Sequence, residues 1–301
     1  GSQVVLTGQT EAFTITGGAS ADNITGGAGN DIITGGAGND IITGGDGNDI
    51  ITVDSGEDKV KDLGGSSGSD QDVVVVNAGA TLNAIDIIGF TATNATKNDS
   101  TDANNAKLTA KDGGTRTIDV SLATGSSKAF KLIGGTGQDS LTGVAGADII
   151  TGGDGLDNLE GGSGNDTFNI DLAYDTITDL GGGSGTDSDI VVVTNVAILN
   201  ATGMIGFTAT SGTSNAGTAT FNLKAGGVRT LDLSAATGAG SFILKGNSGD
   251  DSITGTAGAD TINAGAGADI ILIGTAGHGN SDTIDGGDDA DVLQLSTGAH
   301  T

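Results

Sequence analysis

The sequence contains no cysteine, no proline and no tryptophan, and only one methionine, one tyrosine and seven phenylalanines among 301 residues. Without cysteine, the fold has neither a disulfide nor a thiolate metal site. Because aromatic residues make up 3% of the chain, any core must be aliphatic and thin. No apolar run reaches the roughly 18 residues that a membrane helix needs, so no transmembrane segment is expected. An N-terminal signal pattern of basic, apolar and small residues is also missing.

Positive charge is scarce as well. The chain has eleven Lys and Arg residues and 38 acidic residues, which gives a formal net charge of -27. Only Glu11, Glu57 and Glu160 are glutamates, so nearly all of the acid is aspartate. So large a negative charge disfavours the compact state by self-repulsion and makes nucleic acid a very poor partner. Metal cations are the expected neutralising partner.

Glycine is abundant, with 57 copies, and much of it lies in a nine-residue repeat. Residues 26–52 read GGAGNDIITGGAGNDIITGGDGNDIIT. Aspartate recurs every nine residues in three blocks, with a four-residue insertion in the third block, and an apolar residue follows two positions after each aspartate. The repeat aspartates are Asp22, Asp31, Asp40, Asp49, Asp58, Asp139, Asp148, Asp157, Asp166, Asp175, Asp251, Asp260, Asp269, Asp282 and Asp291.

A longer repeat encloses the short one. DLGGSSGSDQDVVVV at 62–76 returns as DLGGGSGTDSDIVVV at 179–193, and GGTRTIDVSLATG at 113–125 returns as GGVRTLDLSAATG at 226–238. The chain is therefore a tandem duplication of about 115 residues with part of a third copy. The predicted organisation is a lead-in strand at 1–12 with a cloning remnant at 1–2, nonapeptide blocks at 13–61, 130–178 and 242–301, and inserts at 62–129 and 179–241.

The inserts carry strand signals of a different kind. Runs such as DVVVV are β-branched, and FNLKAGGVRTLDLSA alternates between apolar and polar residues around a Gly-Gly turn. This pattern predicts short strands with a hairpin. The sequence leaves open whether the inserts continue the structure of the blocks or fold as separate small sandwiches.

Each nonapeptide has the form G-G-x-G-x-D-x-U-x, where U is apolar. Glycine supplies the positive-φ backbone of a tight turn, and x-U-x makes a strand that buries one side chain. Two units then form one coil of a flattened solenoid. Residues 18 apart should stack, which places Ile33 over Ile51 and Ile24 over Ile42.

The stacked turns suggest a metal site. Backbone carbonyls and one carboxylate per turn offer hard oxygen ligands, of which Ca²⁺ takes six to eight. One unit supplies half a site, so the repeat aspartates act in pairs 18 apart, and roughly eight or more Ca²⁺ ions are expected. The predicted carbonyl ligands belong to Gly26, Ala28, Gly29, Gly35, Gly36, Ala37, Gly38, Gly44, Gly45, Asp46, Gly47, Gly152, Gly153, Asp154, Gly155, Gly161, Gly162, Ser163 and Gly164. Further candidate ligands at the start of the inserts are Asp70, Asp72, Asp187 and Asp189.

The run GGAGNDIITGGAGNDIITGGDGND closely resembles the RTX (repeats-in-toxin, hemolysin-type) family, whose parallel β-roll binds Ca²⁺ through G-G-x-G-x-D turns. The resemblance covers about half of the residues. It implies an all-β protein of RTX β-roll blocks alternating with strand-rich inserts. It also implies Ca²⁺-triggered folding, type I secretion and residence outside a bacterial cell.

No enzymatic activity is predicted. GGSSG at 64–68 matches a G-x-S-x-G nucleophile motif, but its duplicate GGGSG breaks the match and no helix follows. The inserts, poor in aromatic residues, are most similar in style to segments of bacterial surface-layer proteins, which implies self-association into a lattice, with a cell-surface polysaccharide as a further candidate partner. The alternatives are a repetitive RTX adhesin, or the C-terminal RTX portion of a type I-secreted protease or lipase.

Overall fold

The computed structural model describes residues 1–101, 103–125, 129–181, 185, 187–194, 196–273 and 282–295. It divides into two compact units, Gly1–Asp157 and Asn158–Thr301. Parts of the third predicted block, at 274–281 and 296–301, lie outside the described residues.

The first unit consists of short strands and one turn of 3₁₀-helix, Ala103–Asn105. The strands are β1 (Gln3–Val5), β2 (Thr14–Thr16), β3 (Asn23–Thr25), β4 (Ile32–Thr34), β5 (Ile41–Thr43), β6 (Ile50–Val53), β7 (Gly56–Lys61), β8 (Val73–Val76), β9 (Ala80–Ile87), β10 (Gly89–Thr91), β11 (Lys97–Asn98), β12 (Ala106–Ala110), β13 (Arg116–Asp119), β14 (Lys131–Ile133), β15 (Asp139–Thr142), β16 (Ile149–Thr151) and β17 (Asp154–Gly155).

The second unit is built in the same way. Its strands are β18 (Asn158–Glu160), β19 (Thr167–Ile170), β20 (Leu172–Ile177), β21 (Ile190–Val193), β22 (Ile198–Met204), β23 (Gly206–Thr208), β24 (Ser214–Asn215), β25 (Thr218–Leu223), β26 (Thr230–Asp232), β27 (Ser241–Lys245), β28 (Ser252–Thr254), β29 (Asp260–Asn263), β30 (Ile270–Ile273), β31 (Thr283–Asp285) and β32 (Val292–Leu295). No helix among the described residues is long and apolar enough to cross a membrane.

All described strand pairs within each unit are parallel, and each strand pairs with strands one coil away. In the nonapeptide regions the register is 18 residues, so Ile24 lies beside Ile42 and Ile33 beside Ile51. In the three-residue strands β2, β3, β4 and β5 the central residue is buried while its neighbours are more exposed. The predicted all-β parallel solenoid and its stacked isoleucines are therefore confirmed.

The inserts continue the solenoid with longer coils. Leu82 pairs with Ala106, a register of 24 residues (106 − 82). Consecutive strands β9, β10 and β11 lie in three different sheets, so each of these coils has three strands, whereas a nonapeptide coil has two. The strand at the DVVVV run is present as β8. The block and insert boundaries themselves remain a prediction.

The predicted hairpin is wrong. Strands β25 and β26 flank Gly226 and Gly227 but pair with other strands, β25 with β22 and β27, and β26 with β23 and β28. Both glycines have left-handed backbones, with φ of 80° and 81°. A Gly-Gly pair can turn the chain at the corner of a coil as well as in a hairpin. The backbone hydrogen bonds of β25 and β26 are therefore made with strands of the neighbouring coils.

The core is a narrow column of aliphatic side chains in each unit, as the composition predicts. Ile42, Ile51 and Leu108 are fully buried. The insert of the second unit adds aromatic packing, since Phe221 lies 5.8 Å from Phe207 and 6.1 Å from Phe242 between ring centroids. Turns connect the successive strands of each coil at the edges of this core, and the repeat aspartates lie at these turns.

Candidate metal centres

The repeat aspartates form ladders that run from coil to coil. Within each unit, Oδ1 of an aspartate accepts a hydrogen bond from the backbone N–H of the aspartate one coil earlier. Examples are Asp22 N to Asp40 Oδ1 at 2.7 Å, Asp31 N to Asp49 Oδ1 at 2.8 Å and Asp251 N to Asp269 Oδ1 at 2.7 Å. The aspartate therefore holds one coil against the next, which explains its fixed position two residues before each apolar side chain of the repeat.

The carboxylates lie inside the protein. Thirteen of the 15 repeat aspartates are buried, the exceptions being the half-buried Asp282 and Asp291. Burial penalises the charged form and raises the pKa of Asp49 and Asp148 to about 7, and that of Asp58 and Asp251 to about 6. Neighbouring carboxylates add to this effect at Asp49, where Asp72 and Asp31 oppose ionisation.

The second carboxylate oxygen distinguishes two groups of five among the 15 repeat aspartates. In the open group, Oδ2 is buried and has no hydrogen-bond partner among the described residues. This group comprises Asp40, Asp49, Asp58, Asp251 and Asp269. A buried carboxylate oxygen without a partner is costly, and a bound cation would remove that cost.

In the capped group, Oδ2 accepts a backbone N–H from the second residue of its own turn. Gly27 N donates to Asp31 at 2.9 Å and Gly135 N to Asp139 at 2.8 Å. The group comprises Asp22, Asp31, Asp139, Asp148 and Asp260. At Asp22 the backbone N–H groups of Gly18 and Ser2 lower the pKa. These five carboxylates already have protein donors at both oxygens.

The two groups differ in the backbone of the turn. At four of the five open aspartates the second turn residue is left-handed, with φ of 93° at Gly36, 109° at Gly45, 83° at Asn247 and 106° at Gly265. This conformation turns the N–H of that residue away from Oδ2. The carbonyl oxygens of the previous turn then lie against it, so a Cβ on Gly45 would be 1.9 Å from Gly27 O.

The described residues contain no cluster of three or more Asp, Glu, His or Cys side chains suited to a metal. A gap between turns instead combines paired carboxylates with backbone carbonyls. Some predicted carbonyls are already used, because Asp154 O accepts Gly137 N at 2.7 Å. The unpartnered hard oxygens fit Ca²⁺, which prefers six to eight oxygen ligands in flexible geometry.

The candidate ligands at the insert starts have a different setting. Asp72 accepts Asp49 N at 2.8 Å and Gly64 N at 2.7 Å, and Asp189 accepts Asp166 N at 2.8 Å and Gly181 N at 2.7 Å. They continue the ladder at a 23-residue spacing. Asp70 and Asp187 each cap a glycine N–H, of Gly47 and Gly164, at 3.0 Å. These four aspartates therefore close the turns at the block ends.

Sequence reasoning missed two features of the ladders. Asp179 accepts the N–H groups of both Gly161 and Gly162, at 3.0 and 2.6 Å, and burial raises its pKa. The ladders also continue through Arg116 and Arg229, whose backbone N–H groups donate to Asp139 and Asp251 at 2.9 and 3.0 Å. Searching for a 22 to 24-residue spacing would have found both arginines.

The fold and these turns define a parallel β-solenoid with carboxylate-lined edges. The family model of the RTX calcium-binding nonapeptide repeat matches residues 14–41, 25–60, 133–168, 243–275 and 276–299. The chain belongs to the RTX family, and its repeats are of the calcium-binding type. The family match indicates no catalytic family. No curated protein is significantly similar to the chain.

Proposed function

We propose that the protein is an extracellular structural element whose folding is driven by calcium bound between its stacked turns. The observation that carries this proposal is the open group of aspartates, which bury an oxygen without a partner. It is joined by the RTX match, because repeats of this family bind calcium.

The pairs Asp40 with Asp58 and Asp251 with Asp269 offer two open carboxylates on successive turns of one edge. They are the best prepared for a cation, together with Asp49. The capped aspartates can serve as ligands only after the second residue of their turn rotates its N–H away from Oδ2. The remaining repeat aspartates and the turn carbonyls complete the proposed ligand set.

Calcium supplies positive charge and fills the coordination of the open oxygens. Without it, burial and neighbouring carboxylates oppose ionisation, as the raised pKa values of Asp49 and Asp58 indicate. At a calcium concentration tenfold above Kd, mass action stabilises the fold by about 1.4 kcal/mol per site. Some eight sites would contribute on the order of 11 kcal/mol, comparable to the stability of a whole domain.

The proposed biological role is self-assembly at a bacterial cell surface as part of a surface layer. In each unit the inserts extend the solenoid and bury mostly Ala, Leu, Val and Phe. Such inserts supply long, regular faces suited to repeated contacts. Secretion by a type I system is typical of RTX proteins and agrees with this location.

The test combines calcium titration with electron microscopy of the complete chain. Calcium should convert a disordered chain into a β-rich one by circular dichroism and then produce ordered sheets on the grid. Folding without sheets, with a monomer of extended hydrodynamic shape, would favour the adhesin alternative. A β-rich spectrum that is unchanged by calcium removal would contradict calcium-driven folding itself.

A further inference from the structure

Basic residues are scarce in this chain, yet three of them form a column on one sheet of the first unit. Lys59, Asn83, Lys107 and Lys131 are register partners on the adjacent strands β7, β9, β12 and β14. Each lies between two buried residues of the chain, so all four side chains are on the outer face. Lys61 lies beside this column on β7. We call Lys59, Asn83, Lys107 and Lys131 the lysine column.

No acidic side chain of the described residues forms an ion pair with the lysines of the column. Lys97 with Asp99 is the one ion pair among the described residues, although the chain carries 38 acidic residues. Lys107 and Lys131 even lie directly beside each other on neighbouring strands. Like charges in this position destabilise a sheet. The column therefore does not stabilise the fold, and it is positioned for an anion from outside.

A depression of about 280 Å³ lies on the column. It is lined by Lys59, Thr81, Leu82, Asn83, Asn104 and Lys107 together with the acidic Glu57 and Asp58. Its volume is close to the lower end of the roughly 300–1,000 Å³ that ligand pockets occupy. Asn83 Oδ1 is buried there without a hydrogen-bond partner. The depression thus combines ammonium groups for an anion with the polar side chains of Thr81, Asn83 and Asn104.

The duplicated unit lacks the column at the same register. The corresponding register partners in the second unit are, in the same order as Lys59, Asn83, Lys107 and Lys131, the residues Thr176, Asn200, Thr220 and Ile243. Only the asparagine is kept. Because both units form the same coils, the coil geometry does not require lysine at these positions. The lysines serve a purpose particular to the first unit.

We propose that the lysine column binds an anionic polysaccharide, a glycan chain bearing carboxylate or phosphate groups. Strands in a sheet are about 4.8 Å apart, so Lys107 and Lys131 present charge one strand spacing apart, and Lys59 lies two spacings from Lys107 with Asn83 between them. Asn83 and Thr81 face the hydroxyl groups between the charges. A polymer lying across the strands can engage successive coils at once.

A second copy of the chain is the competing occupant, and the structure disfavours it. The most regular acidic groups are the ladder aspartates, most of which are buried and therefore cannot reach a lysine on another molecule. A protein partner would also require apolar area. The column is flanked along its strands by Thr81 and Thr109, and apolar neighbours, Ile41 and Ile149, lie only at its two ends. Hydroxyl groups and anions are the better match.

The test uses calcium-loaded protein and three glycans: hyaluronate as the carboxylate form, phosphomannan as the phosphate form and dextran as the neutral form. The column variant is Lys59→Thr, Lys107→Thr and Lys131→Ile, which installs the residues of the second unit. The control variant, Lys97→Thr, Lys224→Thr and Lys245→Ile, removes the same charge elsewhere. Circular dichroism in calcium checks that both variants fold.

We expect at least one anionic glycan to bind the wild type in a salt-sensitive manner, and dextran not to bind. The column variant should bind at least tenfold more weakly, while the control variant should lose less than threefold. Adding Thr176→Lys and Thr220→Lys to the column variant should restore part of the binding. Equal loss in both variants, or no binding of either anionic glycan, would overturn the proposal. Self-association that depends on the column, measured by sedimentation, would replace it with the second-copy interpretation.

Discussion

The backbone N–H of Asp31 donates to Oδ1 of Asp49 at 2.8 Å, although 18 residues separate them. The same carboxylate leaves its other oxygen buried without a partner. One side chain thus links two coils and offers a ligand to the gap between turns. Asp31 itself differs, because Gly27 and Phe13 donate to both of its oxygens, at 2.9 and 2.7 Å.

The first prediction separates the two roles. Asp49→Asn keeps an oxygen for Asp31 N–H but removes the charge and the free oxygen, so calcium stoichiometry measured by titration calorimetry should fall. Asp31→Asn leaves either Gly27 or Phe13 N–H without an acceptor, at a cost of about 1–3 kcal/mol. The melting temperature in saturating calcium should therefore fall while the stoichiometry stays close to that of the wild type. If both variants lose the same number of ions, the distinction between open and capped aspartates is wrong.

The second prediction concerns removal of calcium. The chain should lose its β spectrum in excess EGTA at neutral pH and recover it when calcium is restored, because the thin aliphatic core cannot offset the repulsion between stacked carboxylates. Magnesium at equal concentration serves as the control, since it demands a smaller and more rigid octahedral shell. Recovery with magnesium alone would show that charge screening, and not calcium coordination, drives folding.

The third prediction follows from the raised pKa values. In the folded, calcium-free protein the pKa of Asp49 is about 7 and that of Asp58 about 6, against 3.8 ordinarily, mainly because of burial. The folded state then holds protons that the unfolded state releases, so its stability falls as pH rises from about 4 to 7. Metal-free protein should gain β structure when the pH is lowered from 7.5 to 5.

Calcium binding has the opposite dependence. Its ligands must be deprotonated, so the calcium concentration that half-saturates the sites should rise as the pH falls from 7 to 5. Circular dichroism without calcium measures the first trend, and titration calorimetry at each pH measures the second. If neither the β content without calcium nor the calcium affinity changed between pH 7.5 and 5, the buried carboxylates would have ordinary pKa values. Values below pH 5 are avoided because the chain is uncharged near its pI of 4.1.

Much of the fold follows from the spacing of residues. The period of nine places Ile24 over Ile42, because two units close one coil and any other register would expose an isoleucine. The fold of the inserts follows less directly from the sequence, because the Gly226-Gly227 turn suits a hairpin and a coil corner equally. The choice depends on strands one coil away, which local sequence does not contain.

The site shows a similar limit. The positions of the aspartates are evident in the sequence, but whether the Oδ2 of each is open or capped is not. Gly27 and Gly36 occupy the same place in identical GGAGND motifs, yet Gly27 caps Asp31 while Gly36, at φ 93°, leaves Asp40 open. Stacking against the neighbouring turn selects the backbone angle. Only the three-dimensional arrangement distinguishes these two glycines.

The last prediction tests that stacking through Gly45→Ala. Gly45 has φ of 109°, and an added Cβ would lie 1.9 Å from Gly27 O, a backbone atom that cannot move without separating the turns. Gly113→Ala is the matched control, because Gly113 has φ of 77° with nothing within 4 Å of the added Cβ. The control should cost only the left-handed strain, about 1–2 kcal/mol. Gly45→Ala should cost clearly more and raise the calcium concentration needed for folding, because it spreads the gap beside Asp49. Equal melting temperatures for the two variants in saturating calcium would mean that the turns can separate freely, and that their close stacking does not form the site.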